Sequence, residues 1–294
     1  MKKFHGIYPA LITPITISGK IDYTGLRRLI RMNLKKNIQG FYVCGSTAEV
    51  FLLDDNQRKK ILETVIDEVN GKCPIIVQVG SLNQKNACNL AIHAQQSGAD
   101  VVSSVPPFYY QFSMDDILNY YRALADAVEL PILIYNIPVF SGVKFTVNDL
   151  RPLLDDDRFI GLKHTSTDFY MLERLKAFWP HKVVFNGLDE VFLSGLCSGA
   201  DGGIGSTYNF MAEKFIQIYH LIIECNITEA RKIQNQVNNI IDMLSSIGFM
   251  SAIKETLSMM GICSSKCIEP FPAINEENKE KLLSVLVKNN CMDL

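Results

Sequence analysis

Short apolar runs alternate along this chain with longer stretches whose apolar residues recur at helical spacing. GIYPALIT (6–13) opens as a strand, with a proline suited to a strand start or edge. Asp22 then stands as an N-cap before TGLRRLIRMNLKK, where Leu26, Leu29, Ile30 and Leu34 repeat with a helical period. IQGFYVCG (38–45) and PIIVQVG (74–80) are the next predicted strands, with a helix over 55–69 between them. A helix over 86–98 is stopped by Gly98, as a glycine just past a helix end does. ADVVSSVPP (99–107) is a fourth strand, and Ser113 with Asp116 predicts a capping box for DDILNYYRALADAV. PILIYNIP (131–138), FIGLK (159–163), KVVFNG (182–187) and ADGGIGS (200–206) are strands five to eight. They are followed in turn by a short helix over Asp149 to Leu154, and by DFYMLERLKAF, DEVFLSGLCSG and NFMAEKFIQIYHLIIEC.

That pattern makes eight βα units over residues 1–225. The strands are unbroken apolar runs, as a parallel sheet covered on both faces requires. Eight successive units predict an α/β fold of the closed (β/α)8, or TIM, barrel type, which spans about 250 residues. An open doubly wound sheet would use fewer strands and a glycine-rich dinucleotide fingerprint, which is missing after the first strand. Residues 226–294 read as helices: ITEARKIQNQVNNIIDMLSSI, FMSAIKETLSMM and NEENKEKLLSVLVKNN. They are expected to pack beside the barrel as a C-terminal helical extension.

Composition narrows the function more than the fold. Hydrophobic residues make up 48% and charged residues 20%, within the ordinary globular range. A net charge of −2 leaves no broad basic surface for nucleic acid or anionic lipid. No run of about 18 apolar residues is present, so no membrane span is expected. The start, MKKFHGIYPALITPITISG, carries two lysines but is broken by Pro9 and Pro14, so it reads as a first strand rather than a secretory leader. The expected location is the cytoplasm, and the eight cysteines are expected as free thiols. Cys263 and Cys267 form CxxxC without a following ligand pair, and the five histidines are scattered, so neither a metal site nor a cofactor is expected.

In such a barrel the chemistry gathers where the strands end. Those ends carry Ser46 and Thr47, Tyr109, Tyr135, Lys163 with Thr165, Gly187 with Asp189 and Glu190, and Ser206. Lys163 is the unusual one, because a lysine ending an apolar strand must either reach solvent or be partly desolvated. A desolvated amine loses its proton more easily and can condense with a ketone as a Schiff base. Tyr135 would lie one strand over and could relay a proton, or be an ordinary core tyrosine. The Gly45-Ser46-Thr47 turn could hold a carboxylate, or simply cap a helix. Gly203 to Ser206 could cradle a phosphate, but Asp189 and Glu190 face the same mouth and would repel one. Those two acids suit a neutral polyol, or merely complement a helix N-terminus.

The blocks GSTAE (45–49), PPFYY (106–110), YNIP (135–138), GLKHTS (161–166), NGLDE (186–190) and GGIGSTYN (202–209) occur in that order. Together they resemble the pyruvate-dependent class I aldolase family, which includes dihydrodipicolinate synthase. The GLDE and GGIGSTYN blocks, with SGV at 141–143, look like its N-acetylneuraminate (sialic acid) lyase branch. The resemblance implies that Lys163 forms the Schiff base with the C2 ketone and that Tyr135 shuttles the proton of the C4 hydroxyl as C3–C4 breaks. It implies that Ser46 and Thr47 bind the carboxylate, and that Thr165, Gly187, Asp189, Glu190 and Ser206 hold the polyol tail. The products would be pyruvate and N-acetylmannosamine. Tyr109 would act near the site of an adjacent subunit, within a homotetramer built as a dimer of dimers. The sequence departs from the family at Ala48, where glycine is usual; the methyl is tolerable unless φ there is positive.

Three rival readings remain, one of them another pyruvate-dependent aldolase of the family acting on a different sugar acid. Dihydrodipicolinate synthases carry an arginine just after the YN-P turn to bind a second carboxylate, whereas this chain has Pro138-Val139-Phe140-Ser141-Gly142. A non-catalytic sugar-acid sensor on the same barrel would need neither Lys163 nor Tyr135.

Overall fold

A computed structural model describes residues 4–292. Its strands are β1 (Gly6–Pro9), β2 (Phe41–Val43), β3 (Ile75–Gln78), β4 (Val101–Ser104), β5 (Ile132–Asn136), β6 (Phe159–His164), β7 (Val183–Asn186) and β8 (Gly202–Gly205). Between and after them run α1 (Tyr23–Leu34), α2 (Asp55–Val69), α3 (Gln84–Ser97), α4 (Met114–Ala127), α5 (Pro138–Ser141), α6 (Val147–Leu154), α7 (Phe169–Phe178), α8 (Phe192–Cys197) and α9 (Tyr208–Ile223). Three further helices follow, α10 (Ile227–Ile247), α11 (Phe249–Met259) and α12 (Glu276–Lys288).

All strands pair in parallel, each with its sequence neighbour, and β1 lies beside β8. The seam between β1 and β2 is closed by a parallel bridge from Ala10 to Tyr42, with Leu11 N–H donating to the Tyr42 carbonyl at 2.9 Å. The sheet is therefore a (β/α)8 barrel, as the apolar runs predicted. Side-chain alternation sorts each strand into two cores. Phe41 and Val43 point out to the helices, while Tyr42 between them points into the barrel; Ile132 and Ile134 flank Leu133 in the same way. Burial on both faces is why no strand reads as an alternating pattern.

The caps follow the sequence. The Asp22 side chain accepts from Gly25 N–H, Ser113 and Asp116 close a capping box, and Gly98 ends α3 in the left-handed region. Except for β6, which extends one residue past Lys163 to His164, the strands are shorter than their apolar runs, which continue into buried loops at the barrel mouth. Residues 131–138 read as one strand, yet β5 stops at Asn136 and Pro138 opens the helical turn α5. Proline has no N–H for a sheet and a φ suited to a first helical position. The stretch after β7 likewise splits into a 3-10 turn, Asp189–Val191, and the short helix α8.

Candidate active site

The site begins with an irregularity between β5 and β6. Ile132 pairs with Phe159, but Leu133 pairs with Gly161, so Ile160 is an extra residue in β6. This bulge advances the register by one, and Tyr135 then pairs with Lys163. Without it, the partner of inward-facing Tyr135 would be Leu162, which packs outward. Gly161 makes the close approach possible. At its φ of 149° a Cβ would lie 1.7 Å from the Val183 carbonyl oxygen.

Lys163 is only 3% exposed. Its Nζ lies 4.2 Å from the ring centroids of both Tyr42 and Tyr135. The two rings meet edge to face at 5.9 Å. Among the described residues no carboxylate forms an ion pair with this amine. Tyr42 is anchored by a 3.1 Å hydrogen bond with Ser103 Oγ, and burial keeps its phenol well above the usual pKa. The amine thus sits at the bottom of the mouth between two aromatic faces, not snorkelled to solvent.

On one side of it, Ser46 and Thr47 form a 3-10 turn. Thr47 Oγ1 and Ser206 Oγ are 2.6 Å apart, which ties the end of β2 to the end of β8. Ala48 is held through its carbonyl, which accepts from Thr13 Oγ1 at 2.8 Å. The left-handed residues on either side of this turn are Cys44 and Glu49, both at φ 56°, and not Ala48. A methyl at position 48 therefore meets no backbone penalty.

On the other side, Thr165 Oγ1 is buried without a hydrogen-bond partner, and Gly187 lies against it. A Cβ on Gly187 would fall 2.0 Å from that hydroxyl, so only glycine leaves it open. Asp189 is buried, and its Oδ2 accepts from Thr207 N–H at 2.8 Å and Thr207 Oγ1 at 2.7 Å. Burial pushes its carboxyl up to about 6, against the lowering effect of those two hydrogen bonds. Glu190 is exposed beside it on the same turn. Tyr109 stands apart, 84% exposed at φ 75°, with its ring edge-on to Tyr110. The mouth also opens into an apolar cavity of about 360 Å³ lined by Ser46, Val105, Phe108, Ile137, Phe140 and Phe271 among others.

Residues 3–289 match the model of the dihydrodipicolinate synthetase family. The chain belongs to that family. It is 41% identical over 282 residues to N-acetylneuraminate lyase 2 of Escherichia coli O6:H1, covering 95% of this chain and 92% of that one. Among solved structures it superimposes on CdNal from Clostridium difficile, determined in complex with mannosamine, with a TM-score of 0.95. That match has 36% identity and covers 97% of this chain and 99% of the other. A catalytic lysine mutant of the Ruminococcus gnavus sialic acid aldolase matches with a TM-score of 0.94 and 31% identity, covering 98% and 97%.

Within this family member, the strand ends bring together Lys163, Tyr135, Ser46, Thr47, Ser206, Thr165, Gly187 and Asp189, but not Tyr109. Sequence reading passed over Tyr42 and Thr13, and placed Thr207 at the end of strand eight without giving it a role. Tyr42 was within reach, since strand alternation from Phe41 and Val43 aims it inward, three residues before Gly45. Thr207 and Thr13 act through contacts between distant segments, which spacing does not reveal.

Proposed function

We propose that this chain is an N-acetylneuraminate lyase, cleaving sialic acid reversibly to pyruvate and N-acetylmannosamine by a class I aldolase mechanism without a cofactor. The observation that carries this reading is Lys163, buried between two tyrosine rings and in no ion pair among the described residues. A permanent ion pair would occupy the amine; in its absence Nζ is open to a ketone.

Lys163 Nζ adds to C2 of the open-chain sugar acid and water leaves, forming an iminium. Tyr135 relays the proton of the C4 hydroxyl, its oxygen accepting that proton while its own phenolic proton passes on to the substrate carboxylate. C3–C4 then breaks, its electron pair moving onto the C3–C2 bond as an enamine, and the aldehyde N-acetylmannosamine departs. Protonation at C3 and hydrolysis of the iminium release pyruvate and restore the lysine. Ser46 and Thr47 bind the carboxylate, and Thr165, Gly187, Asp189, Glu190 and Ser206 hold the hydroxylated tail. The Asp189 oxygen not bound to Thr207 is the one left to accept from the polyol.

Tyr109 belongs to a neighbour's site in this reading. With Tyr110, Val139 and Phe140, each at least 66% exposed, it supports a subunit interface in a homotetramer built as a dimer of dimers. Free thiols throughout the described cysteines fit a reducing cytoplasm.

Borohydride reduction in the presence of pyruvate tests the mechanism. One pyruvyl adduct is expected on Lys163 by peptide mass spectrometry, and none in Lys163→Ala. An adduct on another side chain, or pyruvate release from sialic acid by Lys163→Ala, would sink the mechanism. Condensation of pyruvate with aspartate semialdehyde serves as the control for synthase activity. Turnover there rather than with sialic acid would assign the chain to the synthase branch.

A further inference from the structure

Glu49 immediately follows the Ser46–Ala48 turn and adopts φ 56° and ψ 33°. That left-handed conformation is unfavourable for any residue with a Cβ, so something must hold it. Its amide donates back to the Ser46 carbonyl at 3.0 Å, and its own carbonyl accepts from Leu52 N–H at 2.9 Å. The side chain reaches to the C-terminal helices. Oε1 forms an ion pair with Lys254 Nζ of α11, and both side chains are wholly buried. Oε2 accepts from Ile268 N–H at 2.6 Å, while Lys254 Nζ also donates to the Lys266 carbonyl at 3.2 Å.

A fully buried ion pair stabilises a fold little more than apolar side chains of the same volume would, because desolvating both charges offsets their attraction. What this one supplies is direction. It fixes one particular side-chain orientation at the residue next to two site hydroxyls, and it draws that orientation from a helix outside the barrel. Every βα barrel must close β2 with some turn; this turn is keyed to α11 and to residues 266–268.

We propose that the Glu49–Lys254 pair is a positioning device for the carboxylate end of the substrate. Through it the C-terminal extension locks Glu49 in its left-handed conformation and so presents Ser46 and Thr47 to the carboxylate of an α-keto acid. The proposal deepens the function given above and rests on the carboxylate-binding role of that turn. Neither Glu49 nor Lys254 touches substrate; both act through the turn.

The test compares pyruvate with methyl pyruvate, which keeps the ketone and lacks the carboxylate charge. Each is trapped on Lys163 with borohydride, and the ratio of trapping efficiencies is taken. In the native protein the ratio favours pyruvate. In the Glu49→Gln/Lys254→Met double variant, which leaves no unpaired buried charge, the ratio falls at least tenfold while methyl pyruvate is still trapped. Glu49→Gln alone leaves the ammonium unpaired and lowers the ratio further, with a loss of thermal stability. A folded double variant with the native ratio would overturn the proposal, since a purely structural role lowers both reactions alike. Failure of the double variant to fold would also overturn it, by making the pair a requirement of folding. If the native protein itself gains no pyruvyl mass, the proposed function falls and takes this inference with it; an unchanged ratio in a variant removes this inference alone.

Discussion

One carboxylate oxygen of Asp189 accepts both hydrogen bonds from Thr207, and the group is buried at the mouth with the exposed Glu190 beside it. These contacts pull its titration in opposite directions, and burial wins, raising the carboxyl from 3.8 to about 6. The native state therefore binds a proton more tightly than the unfolded chain between those two values. Stability from this group is fully present below the unfolded value and is lost as pH rises through the native one. A shift of that size corresponds to on the order of 3 kcal/mol. Asp189→Asn keeps an acceptor for Thr207 but cannot titrate. Urea unfolding at pH 4 and pH 7 should show the native protein losing more stability over that interval than the variant, by a difference of that order. Equal losses would mean that Asp189 is not the group responsible. The same substitution should raise the KM for sialic acid more than it weakens pyruvate binding, because in the proposed function only the polyol reaches this side of the mouth. A matched effect on both would remove Asp189 from the tail-binding set.

At the level of single elements, the β6 bulge decides which side chain enters the barrel. It rests on Gly161, whose missing Cβ leaves room for the Val183 carbonyl at a separation of 1.7 Å from where that carbon would sit. Gly161→Ala must either straighten β6 or push β7 away. Either cost is roughly 3 kcal/mol or more, at the upper end for single substitutions. The folded fraction should trap pyruvate at least tenfold more slowly, since about 1 Å of misplacement at a reacting group costs up to 100-fold. Chemical denaturation and adduct formation normalised to folded protein measure the two effects. Native-rate trapping in folded Gly161→Ala would show that the bulge does not aim the lysine. The run FIGLK showed a strand and showed that a lysine ended it, but not the extra residue within it. A bulge of this kind depends on two paired strands at once, and periodicity along one strand cannot express it. The order of the eight strands was legible because each apolar run is bounded by turns and followed by a helix. Their ends were not, because loops at a buried mouth are as apolar as the strands they extend. The end of β5 is an exception in principle, since Pro138 after Ile137 already argues against a sheet residue.

For the molecule as a whole, closure of the barrel and the exposed surface around the mouth have different consequences. Closure at the Ala10–Tyr42 bridge sets the Tyr42 ring over Lys163, so the seam joining first strand to second also builds a wall of the site. The exposed surface leaves that site open. Tyr109, Tyr110, Phe112, Val139 and Phe140 surround a groove of about 620 Å³, and Phe140 and Ser141 line both this groove and the apolar cavity beside Ser46. Large apolar side chains this exposed and this close together are characteristic of a surface that a partner covers. In a two-fold pair each copy would offer the same patch to the other, and Tyr109 of one could reach the cavity of its neighbour. Subunit complementation separates that arrangement from a tyrosine serving its own chain. Lys163→Ala and Tyr109→Ala each lower activity as pure assemblies. When the two are unfolded together and refolded in equal amounts, half the pairs are mixed. If Tyr109 acts across the interface, each mixed pair holds one site with both residues native, and activity recovers to roughly a quarter of the native value. If Tyr109 serves its own subunit, every site in a mixed pair lacks one residue or the other, and no activity returns. Recovery alongside a sedimentation velocity matching the native assembly would establish the shared site. Absence of recovery in assemblies shown by mass spectrometry to be mixed would return Tyr109 to its own chain.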